Sequence, residues 1–309
     1  MLGKRSWLSL LFWTKGAPIQ RIWPRLLIVV IVATLVTYGH EHYGYFEPGL
    51  TTTPFALIGL ALGIFLGFRN NTSYDRFWEG RKLWGSLVNN SRSVTRQIQT
   101  LITTVNTQND PLDSVHKELI GKVIAYVHSL RHHLRNQPCP GDGKEFLSDT
   151  EIQSLESHIN FPIGLLTLLG KRFSEEWRAG RIDPMHLPVL EQSLTTLTNI
   201  QGACERIKST PIPASYTLLI HRLVATYVFA LPFGLVSTTT FFTPVVVALI
   251  AYAFLGLDGI GDEIEEPFGE DNNDLPLSSL SRMIEINLKQ NSGSKDIPKL
   301  LFPIQNKLS

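Results

Sequence analysis

Apolar positions in this chain follow two rhythms. One is continuous: from Ile22 to Tyr38, Thr51 to Phe68, Tyr216 to Val236 and Phe241 to Leu257, charged residues are almost absent. Each run approaches the roughly 20 mostly apolar residues that cross a bilayer. The other rhythm is periodic. Leu119, Ile120, Val123, Ile124, Val127, Leu130 and Leu134 recur at three- and four-residue steps, and so do Leu187, Leu190, Leu194, Leu197 and Cys204. That spacing predicts amphipathic helices that bundle through their apolar stripes. Strand-like alternation is scarce. The predicted fold is all-α, with four transmembrane helices continuous with a cytoplasmic helical bundle.

The boundaries follow from where the rhythm changes. Residues 1–21 read as a cytoplasmic N-terminus, 22–68 as the first two spans, and 69–214 as the cytoplasmic helical region. Residues 215–257 read as the third and fourth spans, broken at Ser237-Thr238-Thr239-Thr240. Residues 258–309 read as an acidic motif and cytoplasmic tail, loosely ordered after about Asn291. Asp75, Arg76, Glu79, Arg81 and Lys82 follow the second run with no helix breaker, so that helix is expected to continue out of the bilayer. The segment Asn136 to Lys144 reads as a loop between helices.

Lys4, Arg5, Lys15, Arg21 and Arg25 flank the first run, whereas Gly39 to Leu50 and the Ser237 break carry no Lys or Arg. The excess of basic residues on one side predicts both termini in the cytoplasm. A basic lead before a short apolar core also fits a signal peptide. The missing small-x-small site before His40 and the three later runs argue against one. His221 and Arg222 lie inside the third run, where a charge needs a protein interior or a water-filled path.

Composition removes several function classes. The 309 residues carry a formal net charge of +1, with no bias toward nucleic acid. The two cysteines, Cys139 and Cys204, lack CxxC spacing and read as reduced thiols. No HExxH, GxSxG or GxxxxGK[ST] motif occurs and no nucleophile–base pair stands out, so no enzyme is expected. His128 and His132 have the spacing of a helical zinc clamp, but Arg131 and His133 beside them read as a solvated basic patch.

Two patterns carry chemistry. On the second span, Gly59, Gly63 and Gly67 share one helix face, and small residues at that spacing let a neighbouring helix approach. Leu60, Ile64 and Phe68 form the adjacent stripe. Around a symmetry axis such a stripe makes an apolar constriction, although the same spacing also suits plain packing. The second pattern is the acidic stretch Asp258, Asp262, Glu263, Glu265, Glu266, Glu270, Asp271 and Asp274, which contains no Lys or Arg. Such carboxylates either gather cations and bind a hard metal ion, or form a solvated helix end.

Three motifs resemble one family. Gly67-Phe68-Arg69-Asn70-Asn71-Thr72-Ser73-Tyr74-Asp75-Arg76-Phe77-Trp78-Glu79, continued by Lys82-Leu83-Trp84-Gly85, is similar to the second-helix signature of bacterial bestrophin homologues. Gly202-Ala203-Cys204-Glu205-Arg206-Ile207, leading to Thr210-Pro211-Ile212-Pro213 and Tyr216, resembles their approach to the third span. Glu266-Pro267-Phe268-Gly269-Glu270-Asp271-Asn272-Asn273-Asp274-Leu275-Pro276-Leu277 resembles their acidic motif. The resemblance runs from about residue 20 to 290.

It implies a homopentamer in a bacterial inner membrane with one axial pore. Leu60, Ile64 and Phe68 match the pore neck, and Ile212, before Pro213, matches a second, cytoplasmic constriction. Glu263, Glu266, Glu270, Asp271 and Asp274 form the expected cation-attracting or metal site. Animal members bind calcium at this motif, but Glu263 and Glu266 stand where those members carry amides. No cofactor is therefore certain, and a divalent cation there stays open. Bacterial members are implied to pass monovalent cations such as sodium. Two rivals remain: an anion (chloride) channel of the same fold, and a non-conducting membrane-anchored scaffold.

Overall fold

The structure, a computed structural model, describes residues 19–45, 51–103 and 112–301. Lys4, Arg5, Lys15 and the last residues of the expected tail lie outside them. The chain is all-α: helices account for the architecture, and among the described residues the β-structure is one isolated antiparallel bridge, Ile102 to Ile182. The chain divides into two compact units, residues 1–77 with 211–267, and residues 78–210 with 268–309.

The first unit contains α1 (Ile19–Tyr43), the first half of α2 (Thr52–Leu101), α7 (Ala214–Thr239) and α8 (Thr243–Glu265). Three stretches in it are long and apolar enough to cross a membrane: Arg21–Tyr43, the start of Thr52–Leu101, and Ala214–Glu265. The last comprises α7 and α8, split by a 3-10 turn at Thr240–Phe242 where Thr240 takes φ +43°. The predicted break falls here, though α7 runs through the first three of its four residues. Hydroxyls satisfy the turn locally. Thr239 Oγ1 donates to Leu235 O, Thr243 Oγ1 donates to Thr240 O, and the two hydroxyls meet at 2.8 Å. Backbone polar groups at membrane depth need such partners. Ile22, Val29 and Ala33 of α1 pack with Leu62 and Leu66 of α2, Val224, Val228 and Leu231 of α7, and Val247, Ala251 and Leu255 of α8. Only 17–33% of the most apolar window in each stretch is buried, so most of the unit's apolar surface points outward. An aqueous unit of this size hides such surface; a lipid-facing one displays it.

The second unit holds the rest of α2, with α3 (Leu112–Leu134), α4 (Asp149–Glu156), α5 (Phe161–Arg178), α6 (Leu187–Ser209) and α9 (Leu277–Asn291). A 3-10 turn, Gly141–Phe146, ends the expected loop. Gly141 there has φ +56°, and a side chain on it would strike the His132 ring. All seven apolar positions read from the α3 period are buried, and Leu190, Leu194, Leu197 and Cys204 of α6 are buried too. One expectation fails. α3 is buried on its polar side as well, with Lys122, His128 and Arg131 inside. These bases are paired, with carboxylates that range from buried Glu285 to half-exposed Asp142. Lys122 Nζ meets Glu118 at 2.8 Å and Glu151 at 2.7 Å, His128 Nε2 meets Glu285 at 3.0 Å, and Arg131 Nη2 meets Asp142 at 2.7 Å. His133 Nε2 instead lies 3.1 Å from Glu205. The histidines thus serve separate carboxylates, and the zinc clamp is not formed. Among the described residues the last helix ends at Asn291, just before the Ser-Gly-Ser-Lys stretch.

Candidate functional site

The membrane half of α2 has two unlike faces. Leu62, Leu66, Arg69 and Ser73 are buried against the unit. Leu60, Ile64 and Phe68 are 66%, 51% and 61% exposed. At 3.6 residues per turn the centres of these stripes lie roughly 170° apart. The Leu60 stripe is therefore held away from the core by helical phase, because the opposite face is anchored.

The anchors are close contacts and one buried charge. A side chain added at Gly59 would overlap the Tyr227 hydroxyl of α7, and one added at Gly234 of α7 would overlap the Phe55 ring of α2. Each helix thus gives a glycine to an aromatic ring of the other. Gly63 and Gly67 differ: among the described residues nothing lies within 4 Å of a side chain added at either. Among the described residues of one chain, Gly59 is the position of the three that meets a neighbouring helix.

Arg69, one residue past Phe68, is fully buried. Its Nη1 donates to Asp258 at 2.8 Å, its Nη2 pairs with Asp262, and Glu265 lies 3.8 Å away. His221 faces the same carboxylates, Nδ1 to Asp258 at 2.8 Å and Nε2 to Asp262 at 3.4 Å. Asn70 Nδ2 adds a bond to Leu257 O at 3.0 Å. The start of the acidic stretch is thereby turned inward as counter-charge for a buried guanidinium. A planar fork facing two carboxylates also fixes the rotation of α2.

The expected acidic stretch is divided in the structure, its beginning at Arg69 and the remainder elsewhere. Among the described residues, His221, Asp258 and Asp262 form the group whose potential metal-ligand atoms lie within 4.8 Å of one another. Glu263, Glu266, Glu270, Asp271 and Asp274 form no such group. Arg69 already supplies a cation to both aspartates, and its positive charge opposes a metal ion there. Glu263 and Glu266 end α8. Beyond Phe268, Glu270 accepts from Gln137 Nε2 at 2.7 Å and lies 3.6 Å from Arg135 Nη1, and the Asp271 backbone N–H donates to Asp274 Oδ2 at 2.7 Å. Phe268 and Leu275 would abut any side chain added at Gly80, so this segment packs on the second half of α2.

Ile212 is largely covered within one chain. It is only 9% exposed, and its backbone N–H donates to Glu265 Oε1 at 3.2 Å. A side chain so covered offers a pathway much less surface than the Leu60 stripe does. Arg222, in contrast, is exposed on α7.

Sequence reasoning found the Leu60 stripe by its spacing but missed the Arg69–Asp258–Asp262–His221 cluster. The available signal was a lone arginine ending an uncharged run, which requires a partner.

The chain is similar to known proteins along most of its length. The profile of a family described as "Bacterial/Fungal Bestrophin protein" matches residues 2–290. A voltage-dependent anion channel-forming protein of Ralstonia nicotianae is 39% identical over 279 residues, covering 90% of each chain. A protein of the same name, YneE of Escherichia coli K12, is 34% identical over 300 residues, 97% of this chain and 96% of that one. The crystal structure of a bacterial Bestrophin homolog from Klebsiella pneumoniae superposes with a TM-score of 0.82 at 32% identity, covering 89% of this chain and all of the other.

Proposed function

This chain belongs to the bacterial and fungal bestrophin family, and on that premise we propose that it is the subunit of a membrane ion channel in which copies of α2 surround a common axis. It is not an enzyme. The observation that carries the reading is the exposed Leu60, Ile64 and Phe68 stripe, opposite a face that one chain already anchors. Rings of such side chains make a narrow gate that dewets when closed. Gly63 and Gly67, open within one chain, offer a smooth flank for a neighbouring subunit. Arg222 needs polar company that a second subunit, headgroups or a water path supply. A pentamer in a bacterial inner membrane with cytoplasmic termini is the assembly this reading adopts.

We assign the permeant ion as a monovalent anion, following the names of the curated relatives rather than the cation expectation. The acidic stretch supports cations less than its composition suggests, because Asp258, Asp262 and Glu265 surround Arg69 and Glu270 lies by Arg135. The cation reading retains one observation in its favour: Glu266 and Asp271 remain exposed.

Reversal potentials in asymmetric NaCl across planar bilayers separate the two. A shift toward the chloride equilibrium potential is expected, and a shift toward sodium overturns the anion assignment. Purified protein that passes no ion through liposomes overturns the channel reading itself and leaves a scaffold. Replacing Leu60, Ile64 and Phe68 together with Ala is expected to raise conductance several-fold, and an unchanged current removes the stripe from the gate.

A further inference from the structure

The second unit contains a groove that no channel argument uses. Arg92, Ser93, Arg96 and Gln99 of α2 and Asn291 of α9 line a volume of about 410 Å³. That is within the range of about 300–1,000 Å³ for small-ligand sites, but those are mostly apolar, and here every lining residue is polar. Two guanidiniums one helical turn apart define its floor. Both arginines are exposed. Arg92 Nη2 donates to the amide oxygen of Asn287, at 3.3 Å. Among the described residues the Arg96 guanidinium has no hydrogen-bond or ion-pair partner. Like charges four residues apart repel slightly on a helix, and a bridging anion relieves that repulsion.

Arg92 to Asn287, and Gln99 Nε2 to Asn291 O at 2.8 Å, tie α2 to α9 at two successive turns. The end of α9 would repel an anion if its carbonyls were bare. They are not: Leu288 O, Lys289 O and Gln290 O accept from Ser292, Ser294 and Gly293, and Asn291 O accepts from Gln99.

We propose that this groove binds a phosphate-bearing anion. Paired guanidiniums match a tetrahedral oxyanion in charge and in forked donor geometry, and the Ser93 hydroxyl offers a further donor. The lining has no aromatic or apolar side chain for a nucleobase to stack on, which favours a compact phosphate over a nucleotide.

The full chain in phosphatidylcholine nanodiscs, titrated with inorganic phosphate at constant ionic strength, tests this by calorimetry. A second arm uses nanodiscs containing phosphatidic acid without free phosphate and reads thermal stability. Saturable phosphate binding assigns the soluble anion; stabilisation in the second arm alone assigns a lipid phosphate. In either case Arg92→Gln or Arg96→Gln weakens the effect about tenfold and the double variant abolishes it. Arg96→Gln should melt like the wild type without phosphate, because that side chain is exposed and makes no α2–α9 tie, so its weakened binding is not a loss of fold. No effect in either arm, or one unchanged in the double variant, overturns the proposal.

Discussion

The two units of this chain use the same helical secondary structure with opposite dressing. In the first, large apolar side chains such as Leu35, Leu60 and Leu249 point outward, while an arginine and an aspartate are packed inside. In the second, Leu119, Leu165, Leu169 and Leu197 are fully inside, and carboxylates and bases cover much of the outside. The shared feature is instructive. Both bury full charges, and both pair them: Arg69 with Asp258, and Lys122 with Glu118 and Glu151. Solvent therefore decides which face is apolar, but it does not change the rule that an interior charge needs a partner.

Breaking a buried pair in the first unit should have the largest effect. Arg69→Leu leaves Asp258 and Asp262 beside His221 without their cation, at a cost of about 3–5 kcal/mol. Loss of the folded oligomer from size-exclusion profiles is expected. The control is the second unit's exposed Arg206–Glu79 pair, at 2.7 Å. Arg206→Ala should cost less than about 1 kcal/mol. Equal melting temperatures for the two variants would dissolve the distinction.

The next effect sharpens the contrast between packing within a chain and packing between chains. Gly234→Val forces the Phe55 ring aside and should cost about 1–3 kcal/mol by overpacking. Gly63→Val meets nothing among the described residues of its own chain, so its loss should appear in assembly more than in monomer folding. Cross-linking in detergent reads this: a reduced oligomer fraction is expected for Gly63→Val, and an unaffected one places no neighbour at that face.

The smallest effect concerns pH in the second unit. Burial holds His132 and His133 below the ordinary imidazole range, the former also under the charge of Arg131. The unfolded chain then binds more protons, so stability falls as pH drops through the ordinary histidine value of about 6.5. Glu285 acts lower. Burial raises its carboxyl, but bonds from His128 and Lys289 prevail and hold it below the usual range. Its contribution, complete above the unfolded carboxylate value, is lost as pH falls through the lower folded one. Denaturant midpoints from pH 7.5 to 5 should decline modestly in the wild type and less in His132→Gln, and equal slopes would contradict this account.

Local pattern revealed the helices because their cause is local. The apolar runs of α1, α2, α7 and α8 and the periods of α3 and α6 are set by neighbours within a few turns. Leu60, Ile64 and Phe68 were legible for the same reason. The partners of Arg69 were not, since Asp258 lies 189 positions away and no period links them. The acidic stretch looked like one site because its residues are adjacent in sequence. In the fold, Arg69 takes its beginning, while Glu270 sits by Arg135. Gly59, Gly63 and Gly67 looked equivalent by spacing, and only the position of Tyr227 separates them. Burial of α3 on every side was hidden because its bases read as solvent-facing until their carboxylates arrived from α4, α9 and the turn at Asp142.

The central claim is that the Leu60 stripe borders the ion pathway. Native thiols leave the protein well suited to a cysteine test, because burial pushes Cys139 up to about 11 and Cys204 up to about 12, keeping both protonated and slow to react. Leu60→Cys, Ile64→Cys and Phe68→Cys should each give a bilayer current that a charged, water-soluble thiol reagent changes within seconds, while Ile28→Cys and Leu35→Cys on α1 stay silent. Currents insensitive to the reagent at all three α2 positions, or equally sensitive on α1, would contradict it.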